Sequence, residues 1–136
     1  MAEEDAAKQQ GSQGNSEPTY SEQLFGKGIY ARHHLGRFEW LRRKFDALAG
    51  EAAISVLEVG CHDGRALSSI PRRVRRYAGF DAGWGGGLER GRQKFAAEKD
   101  YSFTESTQPR DVASFAEQFD FILCMETLEH LDQPVV

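Results

Sequence analysis

The chain has 136 residues, 40% hydrophobic and 28% charged, with a formal net charge of −4. That is enough for one domain, and the acidic balance gives no net pull toward nucleic acid or an anionic membrane. No stretch approaches the length of a membrane span, and two cysteines are too few for a disulfide framework, so a reduced, cytoplasmic setting is expected.

Residues 1–19 hold almost nothing to bury and lack the apolar run of a secretory signal, so they read as a disordered leader. Residues 20–50 read as an amino-terminal helical segment. Between Leu24 and Ala49, the residues Leu35, Phe38, Leu41, Phe45 and Leu48 recur at steps of three and four, and Gly50 is a natural stop. From residue 51 the pattern alternates strand and helix. Strand one is Ile54–Val59, followed by a short helix over Arg65–Ile70 that Pro71 interrupts. Strand two is Tyr77–Asp81, and a glycine cluster from Gly83 to Gly87 precedes a helix over Leu88–Glu98. Strand three is Tyr101–Thr104, Ala113–Gln118 forms a helical turn, strand four is Phe119–Cys124, and a helix opens over Glu126–Leu131. Strands spaced by helices predict an α/β fold: a Rossmann-like, doubly wound, mostly parallel sheet, here truncated after the fourth strand.

The segment from Val56 to Gly64 carries the chemistry. An apolar strand that ends in Glu58 and Val59 runs into Gly60, and Gly64 closes a turn of polar residues. Glycines suit unusual backbone dihedrals or close approach of a ligand, and such a loop gathers free N–H groups at the place where nucleotide-like ligands sit. Asp81 ends strand two about twenty residues beyond Gly60, where a carboxylate accepts hydrogen bonds from ribose hydroxyls. A nicotinamide cofactor needs the same features. The dinucleotide fingerprint, however, wants glycine where His62 and Arg65 stand, and Asp63 puts negative charge beside any pyrophosphate. An NAD-type oxidoreductase is therefore disfavoured, and a cationic or zwitterionic ligand fits better.

Three blocks in order resemble the class I S-adenosylmethionine-dependent methyltransferases. They are Val56-Leu57-Glu58-Val59-Gly60-Cys61 through Gly64, Tyr77-Ala78-Gly79-Phe80-Asp81, and Phe119 through Leu131. His34-Leu35-Gly36-Arg37-Phe38 is similar to a helix found just before the domain in some members, and it adds Arg37 to the cofactor-binding candidates. The chief departure is His62, where the family usually has glycine; a side chain there calls for ordinary dihedrals. The resemblance makes residues 51–136 part of a domain that binds S-adenosylmethionine. It implies that Gly60, Cys61 and Gly64 meet the methionine portion and that Glu58 orients the amino group. Asp81 would hold the ribose, and Ala82 would lie on the adenine edge. Glu105, with Asp111 as competitor, would meet the adenine amino group, and Cys124 and Met125 would line the sulfonium end. Trp84 either closes over the adenine or packs on the surface.

Glu126, Glu129 and His130 share one helical face by their spacing. Similar runs bind a metal in some family members, while the plainer reading is a helix start that favours acids, with His130 as a base or substrate contact. His130 is the catalytic candidate and no metal ligand is assigned. Arg72, Arg73, Arg75 and Arg76 read as a solvated face before a nucleic-acid site, and Cys61 and Cys124 as free buried thiols. The expectation is methyl transfer to a small-molecule acceptor. A cofactor-binding fragment or accessory subunit without turnover is the alternative.

Overall fold

A strand that is apolar on both faces has to lie inside a sheet covered on both sides, and Ile54, Val56 and Leu57 are all buried. The computed structural model describes residues 28–70, 73–115, 118–125 and 127. In chain order these form α1 (Ile29–Ala49), β1 (Ile54–Val59), α2 (Arg65–Ser68), β2 (Val74–Asp81), a 3₁₀ turn (Trp84–Gly86), α3 (Gly87–Lys94), β3 (Tyr101–Glu105), α4 (Pro109–Ala113) and β4 (Phe121–Cys124). The sheet has the order β3-β2-β1-β4, and every pairing is parallel. The chain thus winds outward from β1 through β2 to β3, then returns to the other side of β1. That reversal opens a crevice beyond the carboxyl ends of β1 and β4.

The two-residue alternation of β1 divides the core. Val56 joins Tyr77, Phe103 and Leu123 on one face, beneath Phe38, Leu41 and Phe45 of α1, Leu67 of α2 and Leu88 of α3. Leu57, Ala78 and Phe80 take the other face, against Val112, Phe115 and Phe119. Among the described residues no helix is long and apolar enough to cross a membrane.

Several boundaries differ from those read in the sequence. The buried stripe of α1 is Ala31, Phe38, Leu41 and Phe45, whereas Leu35 and Leu48 are 41% and 70% exposed. At 100° per residue those two leucines fall on opposite flanks of the seam. β2 begins at Val74, three residues early, because Ile54 N–H donates to Arg73 O at 2.7 Å and extends the ladder. Arg72 lies outside the described residues, and the other three arginines there have structural partners: Arg73 pairs with Asp46 at 2.6 Å, Arg75 with Asp120 at 3.4 Å, and Arg76 lies 4.7 Å over Phe119. α3 stops at Lys94, where Phe95 turns inward to stack on Phe103. The helical turn before β4 is Pro109–Ala113, with proline at its favoured first position. β4 starts at Phe121, since the Asp120 carboxylate is taken by Ser55 N–H and Oγ at 2.7 and 2.8 Å. The expected leader, residues 20–27 of the helical segment, and the helix over Glu126–Leu131 lie outside the described residues, apart from Thr127.

Candidate cofactor site

The loop after β1 is fastened from below. Gly60 N–H and Cys61 N–H both donate to Phe80 O, at 2.7 and 3.1 Å, and Gly64 N–H donates to Cys61 O at 2.8 Å. Gly60 sits at φ 82, and a Cβ there would stand 2.8 Å from Thr127 Cγ2. Only glycine meets both demands. The Thr127 hydroxyl lies 3.1 Å from Val59 O and 3.2 Å from Met125 O, so it anchors the exit of β4 to that of β1.

His62 is the one non-glycine residue at positive φ among the described residues, at 48°. Its dihedrals are not the ordinary ones expected for a side chain at this position, and holding them costs about 1–3 kcal/mol. Three contacts offset that cost. The His62 N–H donates to Asp81 Oδ2 at 2.9 Å. Its ring lies on Gly87, where any Cβ would overlap the imidazole. Its Nε2 faces Arg90 Nη2 at 3.3 Å. A guanidinium only donates, so Nε2 is the accepting nitrogen of this contact. The ring therefore leaves the loop toward α3.

Asp81 joins the two loops. Its Oδ2 takes His62 N–H and its Oδ1 takes Gly83 N–H at 3.2 Å. A carboxylate offers about four acceptor positions, so each oxygen keeps one for an incoming hydroxyl. Glu105 is the register partner of Asp81, and its carboxyl carbon would be 2.8 Å from a Cβ at Gly83, which sets it beside the same turn. Asp111 accepts from Ser106 Oγ at 2.5 Å, so its carboxylate is engaged in the local turn. Ala82 is half-buried between Asp81 and Gly83, and Trp84 is 68% exposed.

Beneath the loop lies a buried polar pair. Glu58 is 4% exposed and accepts the Tyr77 hydroxyl at 2.5 Å. Burial pushes its carboxyl up to about 8, with Tyr77 opposing and Asp81 and Asp63 adding to the rise. Arg37, half-buried on α1, acts on Glu58 in the opposite sense through its charge and lies 3.2 Å from His34 Nδ1. The Cys61 thiol points into the core against Gly79, and burial raises it far above its usual range, so only its backbone belongs to the loop surface. Cys124 is exposed rather than buried and forms no disulfide with Cys61, and Met125 packs half-buried on the first core. Gly64 closes the loop at φ 73, facing Phe95 and Phe103.

The structure therefore brings Glu58, Gly60, Gly64, Asp81, Ala82 and Glu105 together around the carboxyl ends of β1, β2 and β3. His130, Glu126 and Glu129 lie outside the described residues. Sequence reasoning missed Tyr77, Thr127 and Arg90. A tyrosine in a buried strand needs a hydroxyl partner, which was a usable signal; Arg90 gave none.

A parallel sheet that reverses direction at β1, with a glycine loop after β1 and an acid ending β2, defines the nucleotide-cofactor part of a doubly wound protein. The family model described as "Methyltransferase domain" matches residues 31–135, and the chain belongs to that family. A ubiquinone biosynthesis O-methyltransferase from Erwinia tasmaniensis is 29% identical over 99 residues, covering 72% of this chain and 39% of that protein. Magnesium protoporphyrin IX methyltransferase from Synechocystis PCC 6803, solved with S-adenosylmethionine, superposes with a TM-score of 0.61 at 16% identity, over 81% of this chain and 56% of that one. The N-methyltransferase NodS from Bradyrhizobium japonicum, solved with S-adenosyl-L-homocysteine, gives 0.56 at 21% identity, over 80% and 52%. The fold is that of class I S-adenosylmethionine-dependent methyltransferases, and the chain spans 39% of the length of the curated relative.

Proposed function

We propose that this chain binds S-adenosylmethionine and serves methyl transfer to a small-molecule acceptor. The observation that carries the reading is Asp81: one carboxylate organises both loops at the crevice and keeps acceptor capacity for two ribose hydroxyls. The loop from Gly60 to Gly64 would take the amino-acid end, with Arg37 toward its carboxylate and Glu58 toward its ammonium. The Glu58 carboxyl would ionise as that positive charge arrives, releasing a proton. Ala82 and Glu105 would lie along the adenine, and Cys124 and Met125 beside the sulfonium.

When bound, S-adenosylmethionine would supply a methyl group activated by its positively charged sulfur, with the neutral thioether as the leaving group. The residues of this chain hold the donor in one orientation, and positioning of that kind contributes about 7–11 kcal/mol to such a step. His130 is the candidate to receive an acceptor proton or to contact the acceptor. A formal charge of −4 supports a small acceptor over a nucleic acid.

Calorimetric titration with S-adenosylmethionine, its demethylated product and NAD tests the reading. Uptake of both adenosyl compounds and not NAD is expected. Uptake of NAD alone would overturn it.

A further inference from the structure

We propose that Arg90 is a positioning residue for the cofactor loop, acting through His62. The proposal rests on the reading of that loop as the cofactor cradle. His62 is held at φ 48 from two directions, both supplied by the β2–α3 segment. Asp81 takes its backbone N–H, and Arg90 meets its ring from the end of the first turn of α3. The other arm of the same guanidinium donates to Gly85 O at 2.7 Å, so the fork ties the two loops together. Gly87 completes the arrangement, because any side chain there would displace the imidazole.

A residue with a Cβ leaves the left-handed region unless its surroundings hold it there, whereas glycine stays at no steric cost. Release of the ring therefore lets the peptide at 62 rotate and turns its N–H away from Asp81. That hydrogen bond is the one that joins the loop directly to the ribose-gripping carboxylate. With glycine at 62 there is no ring to hold, and Arg90 has no such task. Its importance is conditional on the side chain at position 62.

The test is a double-mutant cycle on the full chain, with S-adenosylmethionine as the calorimetric probe. Arg90→Met is expected to weaken binding about tenfold, or about 1.4 kcal/mol, in the His62 protein. In the His62→Gly background the same substitution is expected to change nothing further. Equal losses in both backgrounds, or no loss in either, would overturn the proposal. Arg90→Gln replaces the methionine variant if that one fails to fold. Amide hydrogen exchange at residue 62 in the ligand-free protein supplies a second readout. It should quicken on Arg90→Met with histidine present and stay level with glycine present; unchanged exchange with histidine present refutes the latch. If the wild-type chain takes up no adenosyl compound, the reading of the cradle fails, and the exchange data alone decide the latch.

Discussion

Among the described residues, the two faces of the sheet are filled very differently. Over Val56, Tyr77, Phe103 and Leu123 lie three helices and a continuous set of buried side chains. Over Leu57, Ala78 and Phe80 lie, among the described residues, Val112, Phe115 and Phe119, each partly buried, and Ile122 on β4 is 69% exposed. The polar machinery follows the same division. Glu58 and Tyr77 point into the first face, where the Tyr77 hydroxyl donates to the Glu58 carboxylate. The N–H groups of Gly60, Cys61, His62 and Gly64 are all taken within the protein, so the loop offers a ligand a fixed surface rather than a ring of free donors.

The largest effect expected from breaking this contrast is on stability. Phe45 is 2% exposed with its ring 4.8 Å from that of Phe121, so Phe45→Ala should cost about 3–5 kcal/mol in denaturant unfolding. Phe115→Ala, on the thin face, should cost clearly less; equal losses would refute the comparison. Next comes the site at the upper end of the first face. Asp81→Ala removes charged hydrogen bonds worth about 1.5–3 kcal/mol each, so S-adenosylmethionine affinity should fall at least tenfold by calorimetry. Unchanged affinity would remove Asp81 from the ribose role.

Glu58 sharpens the comparison through pH. The folded protein keeps a proton at this carboxyl up to about pH 8, while the unfolded chain releases it near 4.5. Stability from this group is therefore complete below pH 4.5, declines as pH rises, and is lost through pH 8. Glu58→Gln should flatten the fall of unfolding free energy between about pH 5 and pH 8; an unchanged slope would show the carboxyl ionised in the fold. The smallest effect belongs to the surface. Arg75→Ala breaks an exposed pair with Asp120 and should change stability by less than about 1 kcal/mol.

Much of this was legible in the residues. β1 was bounded correctly because β-branched residues between turn formers leave little choice, and the parallel fold followed from strands alternating with helices. The ends of α3 and α4 were misread because they are set by tertiary contacts and local stereochemistry: Phe95 turning onto Phe103, and proline opening a helix before Ala113. Glu58 and Asp81 were visible as acids at strand ends. Their partners were not, since Tyr77 meets Glu58 only through the register that sets Glu58 opposite Gly79 and Tyr77 one pleat below. His62 was visible as an anomaly, but its conformation depends on Gly87 and Arg90, far along the chain.

One measurement bears most directly on the central claim. In a two-dimensional amide spectrum of the labelled chain, titrated with S-adenosylmethionine, the signals of Gly60, His62, Gly64 and Gly83 should move most. If they stay fixed while the apolar groove between Trp40, Leu48 and Phe121 responds instead, the crevice above β1 is not the cofactor site.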